Sequence, residues 1–151
     1  MQVFGSINEI LDFAMKSEQE AVDFYTALAE KMQNEEMQKV FLQFAQEEVG
    51  HKARLQKIKD EGIFDMELEW VNDLKIADYV VRSDATGDME YRDALVLAMK
   101  REKAAFKLYT KLSEKVEDSG LKKVFQALAV EESKHKLRFE LEYDDYIMRE
   151  N

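Results

Sequence analysis

The chain contains only two histidines, and each follows a glutamate by three positions. In a helix, residues three apart lie on the same face, so each Glu-x-x-His pair can bind one metal ion. Two further glutamates stand where apolar helical stripes require an apolar residue, one on each of the other two predicted helices. The candidate metal ligands are therefore Glu18, Glu48, His51, Glu102, Glu132 and His135.

An internal repeat relates the two halves of the chain. A shift of 84 residues places Glu18 on Glu102, and it carries the pair Glu48–His51 onto Glu132–His135 without any gap. Many apolar and aromatic residues around the ligands match under the same shift. Each half is therefore predicted to be the same unit, a helix, a short turn and a second helix.

The composition predicts an all-α protein. The chain has no proline and only five glycines, and strong helix formers dominate it. Apolar residues recur at steps of three and four, and the stripes are interrupted at the candidate ligands. Gly50 falls inside a predicted helix and is interpreted as allowing close approach of a neighbour. The predicted helices span residues 7–32, 34–60, 89–116 and 119–148.

Capping residues mark the starts of these helices. Ser6 and Asn34 are predicted N-caps of the first two, Asp88 or Thr86 of the third, and Asp118 or Ser119 of the fourth. Short turns make each helix pair antiparallel, whereas residues 62–88 form a long apolar connection. One long crossover between two hairpins is typical of ferritin-like bundles, so we expect residues 1–151 to form a single antiparallel four-helix domain.

The register of the hairpins brings the ligands together. Glu18 lies about 15 residues before the first turn, and Glu48 and His51 lie about 15 to 18 after it, which puts all three at one level. The repeat gives the second hairpin the same arrangement. Four buried carboxylates repel one another and lose hydration, and the stripes contain no lysine or arginine. Two divalent cations would balance their charge, and neutral imidazoles would complete the ligand set.

The sequence resembles the rubrerythrin family of the ferritin-like superfamily. The stretches that carry the resemblance are 18–25 with 48–51, and 102–109 with 132–135, within residues 7–55 and 91–139. The resemblance implies that Glu48 and Glu132 bridge two metal ions and that Glu18 and Glu102 are terminal ligands. His51 and His135 would each bind one ion. Tyr25 and Tyr109 would donate hydrogen bonds to the carboxylates.

Two departures from the family pattern change the expected chemistry. The chain has no cysteine, so it lacks the four-cysteine iron site of rubrerythrins and would need an external electron donor. Rubrerythrins also carry a glutamate one turn after the third-helix ligand, and here that residue is Ala105. The centre is expected to be closer to the simpler symmetric di-iron centre of ferritin relatives.

Charge and hydropathy exclude other classes of protein. A net charge of -10 disfavours binding to DNA or RNA. No apolar run is long enough to span a bilayer, and the first 20 residues do not resemble a signal peptide, so a cytoplasmic location is expected.

Three functions are compatible with this pattern. The first is a non-haem di-iron oxidoreductase that binds two iron ions and reduces peroxide or dioxygen with electrons from a partner. The second is a ferroxidase that handles iron. The third is a non-catalytic bundle whose core is held by zinc, manganese or another ion. We expect a homodimer.

Overall fold

The computed structural model describes residues 5–32, 34–62, 79–81 and 90–150, and for residue 150 the backbone alone. Four helices contain almost all of them: α1 (Ile7–Lys31), α2 (Glu35–Glu61), α3 (Tyr91–Lys115) and α4 (Ser119–Glu150). The described residues contain no strand. The all-α prediction is confirmed, and each helix boundary lies within two residues of the predicted one.

The chain divides into two compact units, residues 1–75 and 76–151, and each contains one helical hairpin. In the first, Lys52 on α2 bonds to Gln19 on α1, and Lys59 bonds to Asp12. In the second, Tyr91 at the start of α3 bonds to Glu142 near the end of α4. Late residues of one helix therefore meet early residues of the other, so both hairpins are antiparallel. The predicted crossover, residues 62–88, lies largely outside the described residues.

Side chains cap three of the four helices. Ser6 Oγ accepts from the Glu9 N–H at 3.1 Å, and Asn34 Oδ1 accepts from the Glu36 N–H at 2.9 Å. Asp118 Oδ1 accepts from the Leu121 N–H at 2.9 Å. Each bond satisfies an N–H group that has no partner within its helix. The third predicted cap is replaced: Glu90 is the N-cap of α3 and makes no side-chain cap bond, while Asp88 and Thr86 lie outside the described residues.

The sequence repeat has a direct structural counterpart in the two cores. The ring of Tyr25 stacks on Phe41 with centroids 6.4 Å apart and an interplanar angle of 19°. Tyr109 stacks on Phe125 at the same centroid distance with an angle of 16°. All four rings are fully or almost fully buried. Each hairpin therefore closes over an equivalent aromatic pair, which fixes the register of its two helices.

Two glycines, one within α2 and one at its end, differ in what they contribute. Gly62 ends the helix in the left-handed conformation with φ of 64°, and its N–H bonds to the carbonyls of Ile58 and Lys59. Gly50 lies mid-helix, and apart from its chain neighbours and the adjacent α2 backbone, no atom of the described residues lies within 4 Å of the position that an alanine methyl group would occupy there. The interpretation that Gly50 allows close approach of a neighbour is therefore wrong.

We expect Gly62→Ala to lower the free energy of unfolding by about 1 kcal/mol, because alanine is strained at positive φ. Gly50→Ala should raise it by about 0.5–1 kcal/mol, because alanine loses less backbone entropy in a helix. Urea denaturation of both variants in one metal state measures the difference. Shifts of the same sign would contradict these assignments.

Candidate metal centre

The first hairpin brings three predicted ligands together in its core. Glu18 comes from α1, and Glu48 and His51 come from consecutive turns of α2. Each offers one ligand atom, and these atoms lie within 4.8 Å of one another. His51 Nδ1 lies 3.6 Å from Glu18 Oε2 and 3.4 Å from Glu48 Oε1. We call this set the first triad.

The second hairpin repeats the arrangement. Glu102 comes from α3, and Glu132 and His135 come from α4. Their ligand atoms also lie within 4.8 Å of one another, and His135 Nδ1 lies 3.6 Å from Glu102 Oε1. This is the second triad. The structure thus assembles the six predicted ligands in two equivalent groups, one in each hairpin.

Both triads are removed from water. All six side chains belong to residues that are at most 3% exposed. Among the residues that the structure describes, no lysine or arginine is buried with them. In each triad the two negative charges of the carboxylates exceed the charge of the histidine, even when the histidine is protonated. A divalent cation would bring each triad to neutrality with its imidazole uncharged, whereas bare buried carboxylates cost several kcal/mol each.

The distances within the triads fit a shared ion. The histidine–carboxylate separations of 3.4–3.6 Å exceed those of ordinary N–H···O hydrogen bonds. Ligand atoms about 2.1 Å from one ion are roughly 3.4 Å apart at a tetrahedral angle and about 3.0 Å apart at a right angle. Little movement is therefore needed for a metal ion to lie between them. Carboxylate oxygens with imidazole nitrogen suit iron, manganese and zinc.

Tyr25 and Tyr109 lie where the sequence predicts them, two turns after the first glutamate of each triad. Both are at most 1% exposed, and each ring stacks on a phenylalanine of the paired helix. Each ring is therefore part of the packed core of its hairpin, on the same helix as the ligand Glu18 or Glu102. The predicted hydrogen bonds from their hydroxyls to the carboxylates stay a prediction.

Glu142 is a buried carboxylate that the sequence analysis missed. It is 7% exposed and accepts a hydrogen bond from the Tyr91 hydroxyl at 3.0 Å, and Arg149 lies 3.3 Å from the same oxygen. Burial raises the pKa of Tyr91 above its ordinary value, and the charge of Glu142 raises it further. Glu142 follows His135 by seven residues, so extending the α4 stripe by two turns would have found it. Its phenol and guanidinium partners distinguish it from the triads.

The fold and the triads define the class of protein. A Thermotoga maritima protein described as a candidate ferritin-like diiron-carboxylate protein has the same fold, with a TM-score of 0.78 and 24% identity over 97% of this chain and 99% of that one. A hypothetical protein from Pyrococcus furiosus gives a TM-score of 0.73 at 28% identity over 92% and 89% of the two chains. The chain is therefore a ferritin-like four-helix bundle.

A match between the sequence and a family model identifies the family of the chain. The family model described as Rubrerythrin matches residues 9–143, a range that contains both triads. The chain belongs to the rubrerythrin family, and the resemblance stated from its motifs is confirmed. Comparison with curated proteins gives no significant match. Within the described residues, no helix has the length and apolar character needed to cross a membrane.

We expect Glu48→Gln to abolish much of the stabilisation that metal gives, because an amide is a weak ligand and leaves the site one negative charge short. Metal at 100 times its dissociation constant should stabilise the wild type by about 2.7 kcal/mol per site. Thermal unfolding after chelation, with and without added Zn²⁺, measures the shift. The metal-free variant should be at least as stable as the metal-free wild type.

Glu47→Gln is the matched control. Glu47 precedes Glu48 but is exposed, so the same chemical change there should leave the metal-dependent shift intact. An undiminished shift in Glu48→Gln would mean that Glu48 is not a ligand.

Proposed function

We propose that this protein is a non-haem di-iron oxidoreductase that reduces peroxide or dioxygen. The observation that carries the proposal is the pair of buried Glu, Glu, His triads, one in each hairpin, with histidine and carboxylate atoms at 3.4–3.6 Å. Membership of the rubrerythrin family supports it. In this proposal residues 1–151 act as one domain and the two triads serve a single centre.

Each ligand type has a separate task. His51 and His135 turn Nδ1 toward the carboxylates, so a neutral imidazole donates a lone pair without adding charge. Glu48 and Glu132 precede the histidines by one helical turn and would hold the ions together with them, in the bridging role that the family resemblance implies. Glu18 and Glu102, on the partner helices, are assigned as terminal ligands. Their four negative charges match two divalent ions.

Iron would supply the redox chemistry that these side chains lack, by alternating between its ferrous and ferric states. Carboxylates accommodate both charge states because they can bind through one oxygen or two. Core side chains one or two helical turns from the ligands are fully buried, and packing of this kind limits the access of water; they include Leu11, Leu55, Leu95 and Phe139. A site that excludes bulk water protects reactive oxygen chemistry from side reactions.

The proposed reaction needs a supply of electrons. Peroxide takes up two electrons and two protons to give two waters, and dioxygen takes up four of each. The chain has no cysteine and therefore no iron–sulfur or rubredoxin-type iron site of its own, so an external donor must supply the electrons. We further propose a homodimer in the cytoplasm, without nucleic-acid or membrane partners.

We expect protein loaded with two Fe²⁺ per chain to be oxidised by peroxide faster than Fe²⁺ in buffer, with a near-ultraviolet band of an oxo-bridged ferric pair. Stopped-flow absorbance measures the rate. Glu48→Gln should lose the acceleration, and Glu47→Gln should keep it. Oxidation no faster than in buffer would rule the oxidoreductase out.

The same experiment separates the alternatives. Bound zinc that iron cannot replace would identify a structural site. Fast oxidation by dioxygen together with a shell of 12 or 24 subunits would favour a ferroxidase that stores iron, and a dimer would oppose it. Light scattering of the loaded protein gives the assembly size.

We expect Tyr25→Phe to reduce metal affinity or reaction rate by about 10- to 100-fold, because it removes a hydroxyl from the ligands' surroundings while the ring still stacks on Phe41. Isothermal titration and the peroxide assay measure the two quantities. Tyr143→Phe, a half-buried position on α4, is the control. A Tyr25→Phe protein identical to wild type in both would show that the tyrosine serves packing only.

A further inference from the structure

The outer face of the second hairpin carries a groove of about 400 Å³ between α3 and α4. Three lysines and two apolar side chains contribute most of its lining. We name it the lysine groove and define it by its lining residues, Lys103, Phe106, Lys107, Ser133, Lys136, Leu137 and Glu140.

The lysine groove lies at the level of the second triad along α3 and α4. Lys103 follows the ligand Glu102, and Lys136 follows the ligand His135. Consecutive helical residues point about 100° apart and lie about 1.5 Å apart along the axis, so these lysines lie at the ligands' level but are turned sideways from the core. A helix is about 10 Å across. A molecule bound in the groove would therefore lie within about one helix diameter of the second triad.

The charge of the groove is opposite to that of the chain. Lys136 bonds to Glu140 on the next turn of α4, while Lys103 and Lys107 are exposed one turn apart on α3. The chain as a whole carries a net charge of -10. An acidic partner is therefore repelled by most of the surface and attracted at this face. Such a field selects both the partner and its orientation.

Apolar side chains are exposed at the centre of this face. Phe106 is 39% exposed and Leu137 is 55% exposed. Val130 and Leu141 continue the exposed apolar line along α4, two turns before Leu137 and one turn after it. An apolar centre with a charged rim is the usual anatomy of a protein–protein interface.

The internal repeat supplies a comparison within the chain. Lys103, Lys107 and Lys136 correspond to Gln19, Asp23 and Lys52 in the first hairpin. There Lys52 Nζ donates to Gln19 Oε1 at 3.0 Å, and Gln19 Nε2 donates to Asp23 Oδ1 at 3.0 Å, so the polar side chains bridge the two helices.

Three lysines cannot form such a bridge, because ammonium groups only donate hydrogen bonds and repel one another. The apolar positions differ as well, since Leu137 replaces Ala53 and Leu141 replaces Lys57. The two hairpins thus share their triads but not this face. The first hairpin pairs its helices and assembles its triad without lysine at the two equivalent α1 positions, so neither task accounts for Lys103 and Lys107.

We propose that the lysine groove is the docking site for an acidic electron-carrier protein that reduces the metal centre. This inference rests on the proposed oxidoreductase function. Each carrier gives up one electron, so two reduced carriers and two protons match the reduction of one peroxide to two waters. A symmetric second copy is disfavoured as occupant, because it would set lysine against lysine.

The test uses two acidic carriers as probes, a plant-type [2Fe–2S] ferredoxin and a flavodoxin. Lys103→Glu/Lys107→Glu is compared with Lys16→Glu/Lys39→Glu, which places the same charge change on exposed positions of the first hairpin. Titration calorimetry on zinc-loaded protein measures docking independently of any reaction. Stopped-flow absorbance on iron-loaded protein measures reduction by each carrier and by ascorbate, a small reductant that needs no docking.

We expect the groove variant to lose at least about tenfold in carrier affinity and reduction rate at low salt, with the difference shrinking as salt is added. Its reduction by ascorbate should stay unchanged, and the control variant should resemble wild type. Carrier binding to zinc-loaded protein that survives in the groove variant overturns the proposal, as does an equal loss in the control or no binding of either carrier.

A wild-type dimer that the groove variant breaks would also overturn the proposal, because the groove would then be an interface between copies. If the iron-loaded protein fails to react with peroxide while the zinc-loaded protein still binds carriers through the groove, the proposed reaction fails and the docking site stands.

Discussion

Buried negative charge, for which the described core supplies no buried lysine or arginine, is the constraint on which the rest of this structure depends. Each hairpin encloses two carboxylates and one imidazole at no more than 3% exposure. The described core offers them no lysine or arginine. Glu142 shows how the same chain satisfies a buried carboxylate that is not in a triad, with a phenol and a guanidinium. The triads have instead an imidazole nitrogen at a separation that leaves room for an ion, so a metal bound there would couple the folding stability of the chain to its proposed chemistry.

The hairpin is what makes such a cluster possible. Three ligands from two helices meet only if the helices are antiparallel and their register is correct to within about one turn. The caps at Ser6, Asn34 and Asp118 set where helices start, and the stacked pairs Tyr25–Phe41 and Tyr109–Phe125 fix the register between them. The ligands lie two turns from these aromatic pairs, within the rigid part of each hairpin.

Much of this could be predicted because helical periodicity is visible in the sequence. A glutamate inside an apolar stripe, such as Glu18, is visible without a structure, and the repeat doubles the signal at Glu102. The start of α3 was less predictable, because Glu90 caps it without a side-chain bond and leaves no signature in the sequence. Glu142 was missed because it lies two turns beyond His135, the last candidate ligand on the α4 stripe. Exposure of Phe106 and Leu137 could not be predicted, since it depends on how closely neighbouring side chains pack.

The two hairpins have the same residues in the triads and the aromatic pairs, but different residues at most positions of the lysine groove. Positions that hold the triads and the aromatic pairs are the same in both halves, because any change there alters buried charge or packing. At the groove positions one half has Gln19 and Asp23, which bond to each other and to Lys52, and the other half has lysines. Polar side chains that already hydrogen-bond to one another gain little from a protein partner, because binding must first break those hydrogen bonds. Lys103 and Lys107, exposed one turn apart, repel each other unless an acidic surface covers them, which is why the second hairpin is the one proposed to receive an acidic partner.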